Sequence, residues 1–388
     1  MSNVSEYSDC YGCGVCAAAC PKNVIKMNLS GDGFYKPKIV GQCIGCGICM
    51  DVCSFALNKE IECNDIPIKA FAAWSYCANV RQKCTSGGIS YELGKYMISN
   101  GYIVVPVRYS FENQRAEHYI AKNEEELDQS IGSKYIQSDT FEAFSRIEKG
   151  NKYFIIGTPC QIASVRLWME KRKMDKDVLL LDFFCHGVPS YLMWEKYLQF
   201  VRNKIGAFDE ISWRSKLGGW QNSTVMTVGE KYRSFYKDGD LFYKFFLGDR
   251  CLGKACYDDC KFKYTQSRAD IRLGDLWGRD YSENEKGVNG VLCLTKKGQD
   301  VLQGISNSAY LKETTVDVVG GIQMRICAKR PTSYRFVSWA LKTPMSLKSI
   351  DIVASIIELR LFRKIIYLFK RMTTKISDLI KNSSDALL

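Results

Sequence analysis

Eight cysteines near the start of the chain stand at spacings suited to iron–sulfur chemistry. The first run reads Cys10-x2-Cys13-x2-Cys16-x3-Cys20-Pro21 and the second Cys43-x2-Cys46-x2-Cys49-x3-Cys53-Ser54. Within each run the first three thiolates ring one tight loop and reach three corners of a cubane, while the fourth begins the next turn and points away. Gly12, Gly14, Gly45 and Gly47 hold equivalent places in the two runs, where a backbone wrapped around a cluster turns sharply and exposes N–H groups.

Duplication supplies the missing corners. In two-cluster ferredoxins the fourth cysteine of such a run ligates the other cluster. One [4Fe–4S] cluster is therefore expected on Cys10, Cys13, Cys16 and Cys53, and a second on Cys43, Cys46, Cys49 and Cys20. Zinc sites pair two C-x2-C knuckles without a third cysteine at the same step, and a disulfide scaffold belongs to an exported chain. Ser54 stands where the first run has Pro21; this changes the turn and leaves the ligand count intact.

Around these runs the chain has 388 residues, 18 cysteines, 46% hydrophobic residues and a net charge of +12. A ferredoxin module of about 60 residues leaves room for one large or two medium domains. Met1 to Asp9 is short and polar, unlike a signal peptide, so a reducing cytoplasm and an anaerobic host are expected. No apolar run reaches the roughly 18 residues of a membrane span. From Ile352 onward, Ile356, Leu359, Phe362, Ile366, Phe369, Met372, Ile376 and Leu379 recur at helical spacing among arginines and lysines. That basic amphipathic tail suits peripheral contact with an anionic inner-membrane face or docking on an acidic protein, and equally a helix packed on its own domain. No nucleic-acid motif accompanies the charge, so no nucleic-acid partner is expected.

The elements that must position further chemistry follow in order. Asn58 to Lys69 reads as a linker, and Phe71-Ala72-Ala73-Trp74 as a buried strand. Thr85-Ser86-Gly87-Gly88 then opens a helical pattern: small residues and glycines at a helix start suit a phosphate-bearing group, and equally an ordinary capped turn. Tyr102 to Val107 and Tyr153 to Ile156 are strand-like, and Asn123 to Asp128 caps a surface helix. Gly157-Thr158-Pro159-Cys160-Gln161 breaks into a helix; Val178 to Phe184 is a strand ending at Cys185-His186-Gly187. Strand, turn and helix in repetition predict a parallel α/β sheet, whose ligands gather at carboxyl strand ends. Cys160 and Cys185 sit at two such ends. With Cys256 and Cys260 they complete a third four-cysteine set; the alternative is that they are small buried hydrophobes.

Three separated motifs, Gly157 to Gln161, Phe184 to Ser190, and Ala269-Asp270-Ile271 through Gly274-Asp275-Leu276-Trp277-Gly278, resemble the beta subunit family of coenzyme F420 hydrogenases and dehydrogenases. The resemblance runs from about Phe71 to the low 300s, behind the ferredoxin module. It implies an α/β flavin-binding domain carrying FAD and a [4Fe–4S] cluster, which moves electrons between iron–sulfur centres and a two-electron partner. It also implies that Thr85, Ser86, Gly87 and Gly88 form the flavin phosphate turn and that Cys160, Cys185, Cys256 and Cys260 ligate the core cluster. Three residues separate the last pair where many relatives have two, and Gly253 replaces a common basic residue, which makes Cys251 the substitute ligand to check.

The expected organisation is α/β overall: an α+β ferredoxin-like module over 1–60, the two parts of the flavin domain over 70–150 and 151–325, and the basic tail over 345–388. Clusters pass one electron and organic substrates exchange two; a flavin reconciles them. An iron–sulfur flavoprotein oxidoreductase follows, serving coenzyme F420 or another small-molecule substrate, with a ferredoxin-like protein as electron donor or acceptor. The alternative is a non-catalytic electron-transfer subunit docked to a separate reductase or hydrogenase. His186 is a candidate hydrogen-bond donor or proton source, or else it orders the turn around the cluster. Asp275 is a second candidate catalytic group, and Trp277 a flank for the flavin ring. Trp213-Arg214-Ser215-Lys216 offers positive charge to a phosphate or acidic substrate, or an exposed hairpin edge. His118 is expected on the surface. No C-x3-C-x2-C triad occurs, which disfavours radical chemistry.

Overall fold

A computed structural model describes residues 3–56, 66–222, 225–229, 231–257, 260–321, 323, 325–360 and 364. Most of the expected linker, and the tail at 361–363 and 365–388, lie outside the described residues. The amino-terminal module is a hairpin of β1 (Ile25–Leu29) and β2 (Tyr35–Ile39) with two one-turn helices, α1 (Val15–Ala18) and α2 (Ile48–Asp51). Each helix starts from a left-handed glycine, Gly14 at φ +77° and Gly47 at φ +76°, a conformation that glycine adopts without steric cost. The duplication in sequence is thus a duplication in backbone.

The remainder is a mixed α/β unit around a seven-stranded sheet. Its strands are β3 (Lys69–Ser75), β4 (Tyr102–Val105), β5 (Lys152–Ile156), β6 (Val178–Phe183), β7 (Ile271–Asp275), β8 (Asn289–Cys293) and β9 (Ala309–Thr314), in the spatial order β9-β3-β8-β7-β6-β5-β4. β4, β5, β6 and β7 pair in parallel; β8, β3 and β9 add on by antiparallel pairing, so β3 points the same way as the first four. The expectation of a parallel sheet thus holds for one half. The return from β7 to β8 is a loop without a crossover helix, so β8 comes back antiparallel.

β6 reads Val-Leu-Leu-Leu-Asp-Phe and is buried through Asp182, as a strand covered on both faces should be. Alternate residues point to opposite layers. Ile155 and Leu180 meet Ile162 and Val165 of α4 (Pro159–Lys171) on one face. Phe154, Leu179 and Leu181 meet Ile89, Leu93 and Met97 of α3 (Ile89–Ser99) on the other. Each such buried side chain contributes about 2 kcal/mol. A separate aromatic core joins α5 (Tyr191–Ile205), through Trp194 and Tyr197, to Trp213 and Phe242. Among the described residues no helix is long and apolar enough to cross a membrane.

One polar contact crosses the middle of the sheet. Arg272 on β7 meets Asp182 on β6 with two hydrogen bonds of 2.7 Å, both side chains fully buried. Arg272 also donates to the carbonyls of Phe262 and Tyr264, and so ties the segment after Cys260 to the sheet.

The amino-terminal module is built into this unit rather than appended to it. Gln137 accepts from Tyr35 N–H at 2.8 Å and donates to the Tyr11 and Gly12 carbonyls. Thr140 donates to the Cys13 carbonyl at 3.0 Å, while Val15 and Val52 pack into the core beside Ile162.

Candidate metal centres

Three cavities, each ringed by four cysteines, follow one another into the molecule. The distal one, about 430 Å3 counted out to solvent, is lined by Cys20, Cys43, Cys46 and Cys49. The proximal one, about 370 Å3, is lined by Cys10, Cys13, Cys16 and Cys53. The two runs therefore exchange their fourth cysteines. The third, about 720 Å3, is lined by Cys160, Cys185, Cys256 and Cys260 and also by Cys10, so it abuts the proximal one.

The thiols resist ionising on their own. Burial, reinforced by neighbouring sulfurs, pushes Cys13 up to about 12 and Cys16 well above the ordinary thiol value. Burial likewise pushes Cys185 up to about 12 and raises Cys160 strongly. Holding four such groups together as thiolates would take a compact, highly positive partner. Among the described residues no three cysteine, histidine or carboxylate side chains stand close enough to hold a single ion. The residues fit polynuclear clusters in donor type and number.

Local structure explains each placement. Cys160 is the second residue of α4, behind Pro159 at the first position, with the Gln161 side chain accepting from Thr158 N–H at 2.9 Å. Proline at the first turn loses no needed donor, and the reciprocal cap fixes where the thiol emerges. One turn later Ser164 bonds the Cys13 sulfur at 3.4 Å and accepts from Ser54 N–H at 3.1 Å, while Ser54 Oγ donates to the Cys160 carbonyl at 3.2 Å. Ser54 stands where the first run has proline because its N–H is a donor here, and proline has none. Cys185 follows β6, and Lys263 Nζ donates to its carbonyl at 2.8 Å and to that of His186 at 3.1 Å.

Other sequence readings fare unequally. Cys251 is buried in the aromatic core, its sulfur towards the Phe245 carbonyl, and it does not line the third cavity. The ring of His186 does not line it either: Nε2 lies 2.7 Å from Asp249 and 3.2 Å from the Phe246 carbonyl, contacts that order the turn after Cys185. His118 is not at the surface. It is 4% exposed, its Nε2 lies 2.9 Å from the Ile156 carbonyl, and burial lowers its pKa to about 4. Its polar neighbours in sequence concealed this, because β-strand alternation turns the ring inward. Sequence reasoning missed Lys36, which lines the third cavity and donates to the Cys10 carbonyl at 2.7 Å, and Lys263. It also missed Cys327, whose sulfur bonds the Cys260 carbonyl at 3.3 Å. No short-range pattern marks these three.

The Thr85–Gly88 turn lies where β3 ends and β8 begins. Thr85 Oγ1 accepts from Ser133 N–H at 3.0 Å, Ser86 Oγ donates to the Val288 carbonyl, and Asn289 Oδ1 accepts from Ile89 N–H at the start of α3. Gly88 begins α3 at φ +86°. Two lysines face this region: buried Lys216 donates to the Ser86 and Lys286 carbonyls at 2.7 Å, and half-buried Lys134 to those of Ser130, Ile131 and Gly132. Desolvation lowers Lys134 to about 7 and Lys216 to about 8. Arg214 bridges Asp275 at 3.0 Å and Tyr135 at 3.1 Å. Arg214 and Lys216 therefore form no exposed hairpin edge. Trp277 stacks on Trp220 at 4.3 Å, and Trp220 Nε1 is buried without a partner. Charge, aromatic surface and an orphaned donor suit a phosphate-bearing ring system in kind.

Cysteine-ringed cavities entering an α/β sheet at the carboxyl ends of its strands define an iron–sulfur electron-transfer protein. The chain matches the family described as coenzyme F420 hydrogenase/dehydrogenase, beta subunit: the carboxyl-terminal part of that family over residues 150–318, and its amino-terminal part over residues 70–145. Residues 9–57 match a 4Fe-4S dicluster domain. The chain belongs to the coenzyme F420 hydrogenase/dehydrogenase beta subunit family, with a dicluster domain in front. None of the curated proteins compared with it matches. One similar solved structure is described as xenon derivatization of the F420-reducing [NiFe] hydrogenase complex from Methanosarcina barkeri. It shares 17% identity at a TM-score of 0.48, with 66% of this chain and 84% of that chain covered.

Proposed function

We propose that the chain is an iron–sulfur flavoprotein oxidoreductase with a third [4Fe–4S] cluster and FAD, exchanging electrons with coenzyme F420 or another small two-electron substrate. The observation that carries this reading is the serial placement of three four-cysteine cavities, with Cys10 shared between the lining of the second and third. Residues 1–60 receive electrons, and 70–150 with 151–325 form the flavin domain. Cys10, Cys13, Cys16 and Cys53, then Cys20, Cys43, Cys46 and Cys49, hold the dicluster pair, and Cys160, Cys185, Cys256 and Cys260 hold the core cluster. Bound FAD would supply the conversion between one- and two-electron transfer.

The chain's own residues then have definite tasks. Thr85, Ser86, Gly87 and Gly88 would form the phosphate turn, with Lys134 and Lys216 fixing its backbone and adding positive charge nearby; Trp277 bounds the ring site; Asp275 is held by Arg214 and orients that guanidinium. His186 orders the Cys185 turn. The protein partner is a small acidic one-electron carrier. Cys43 and Cys46 are exposed beside Lys22, Lys38, Val40 and Ile44, and Asp32, the single acidic residue between Cys20 and Cys49, is paired with Lys342. Apolar and basic surface at a solvent-facing cluster suits such docking.

Anaerobic preparation with iron, sulfide and flavin analysis tests the reading: about twelve irons and one FAD per chain are expected. About eight irons without flavin would sink it. A second reading, a subunit docked to a separate reductase or hydrogenase, is favoured by Ile352, Ile356 and Leu359, which are exposed on one side of the helix over 347–360. A stable complex whose partner alone turns over substrate would establish that reading.

A further inference from the structure

The charges around the proximal and third cavities differ. Besides its cysteines, the proximal cavity is walled by Val4, Tyr7, Tyr11, Met27, Val52 and Phe55, and among the described residues none of its lining side chains is charged. The third is lined by two ammonium groups, Lys36 and Lys263. Lys263 is 8% exposed and is fixed by the Cys185 and His186 carbonyls; its charge acts on Cys185 and Cys256. Lys36 sits at the seam, hydrogen-bonded to the Cys10 carbonyl and acting on both Cys10 and Cys256. Asp9 adds negative charge on the Cys10 side, partly offset by its pairing with Lys254.

A cube held by four thiolates is a net anion, and reduction adds one more negative charge. Apolar enclosure opposes that change and a nearby cation favours it. We infer that Lys263, with Lys36 at the seam, makes the centre at Cys160, Cys185, Cys256 and Cys260 the most readily reduced of the three, so that electrons entering at the distal cysteines run inward to the sheet. This rests on the proposed third cluster and gives the relay a direction. In each step one electron leaves the proximal centre, which is oxidised, and enters the third, which is reduced. The electron originates in a reduced one-electron carrier protein and ends on a two-electron acceptor. Lys36 acts on both sides of the seam, so most of the difference falls to Lys263.

The test is an anaerobic redox titration of the full-length protein followed by electron paramagnetic resonance, with Cys160→Ala identifying the signal that belongs to the third centre. The signal lost in Cys160→Ala should have the highest midpoint potential in the unsubstituted protein. Lys263→Met should move it to lower potential and leave the other two in place, Lys263→Arg should restore it, and Lys36→Met should lower the two inner signals together. A third centre that is not the highest in the unsubstituted protein overturns the inference. So does a Lys263→Met protein with its full iron content and an unmoved midpoint. An unsubstituted protein with about eight irons would instead remove the third cluster itself, a different failure that iron analysis reports separately.

Discussion

The two cysteine runs are near copies in sequence and backbone, yet they inhabit opposite environments. Gly12 and Gly45 have φ of +67° and +66°, and Gly14 and Gly47 +77° and +76°. A Cβ on Gly14 would stand 2.0 Å from Thr140 Oγ1, whereas one on Gly47 would meet nothing within 4 Å. Cys13 is bonded to Ser164, deep against α4, while Cys43 and Cys46 are exposed. On the proposed reading, the same loop is an inner station when it is packed against the sheet and a port when left at the surface. What separates the roles is the neighbour, not the ligand pattern.

The strongest way to break this comparison lies outside both runs. Arg272→Met leaves the Asp182 carboxylate buried and unpaired and frees the Phe262 and Tyr264 carbonyls. Removing one partner of such a pair costs about 3–5 kcal/mol, so thermal unfolding should begin much earlier. With the proposed third cluster in place, iron should fall by about a third, since that segment lines the third cavity and reaches the proximal one only through Tyr11 and Phe55. Equal loss from all three sites would mean that the distal loop is no more independent than the inner one.

His118 supports the strand end from which α4, with Cys160 and Ser164, departs. Its folded pKa of about 4 lies below the unfolded value of roughly 6.5, so the unfolded chain takes up the proton first. Its contribution is complete above pH 6.5 and is lost as pH falls from there to about 4, in all about 3 kcal/mol. Denaturant titrations of the protein and of His118→Gln should diverge over that window; parallel curves would remove the histidine from the account.

Gly14→Ala and Gly47→Ala test the comparison itself. Both incur left-handed strain of about 1–2 kcal/mol, and only Gly14→Ala adds overpacking against Thr140, another 1–3 kcal/mol or so. Chemical denaturation should rank Gly14→Ala well below Gly47→Ala in stability, and equal losses would contradict the packing of Gly14 against Thr140. A smaller asymmetry is expected at the prolines. Ser54→Pro deletes the N–H that bonds Ser164 and should cost about 1–2 kcal/mol, while Pro21→Ser, at an exposed position, should stay within about 0.5 kcal/mol.

The smallest stability effect carries a kinetic signature. Lys22→Glu with Lys38→Glu should leave unfolding nearly unchanged but slow reduction by an acidic carrier protein, most visibly at low salt. Stopped-flow reduction at two ionic strengths checks this. A rate indifferent to both charge and salt would place the port elsewhere.

The grouping of cysteines around the distal and proximal cavities was legible because a C-x2-C-x2-C-x3-C run places its thiols within a few residues, and duplication closes the count. The strand-end positions of Cys160 and Cys185 were legible too, because β5 and β6 are continuous apolar runs broken by turn residues. Cys251 was a natural substitute for the ligands close to it, yet it faces the Phe245 carbonyl in another core. Neither its burial nor that of His118 is written in neighbouring residues. The antiparallel pairing of β8, β3 and β9 escaped notice, although β3 itself was read as a buried strand, because pairing direction depends on how the chain returns over the sheet, not on the apolar pattern of a strand.

Local spacing by itself determined the two cysteine loops and the alternation of strand and helix behind them, because each depends on residues only a few positions apart. Tertiary structure alone decided that one loop is buried and its twin exposed, that Ser54 must donate, that Cys10 lies on the seam between two cavities, and that Lys36 and Lys263 stand beside the third. Those facts join residues as much as 227 positions apart (Lys263 minus Lys36). Their contact follows from the packing of whole layers, where exclusion of water and the placement of charge are set by the surroundings rather than by the segment.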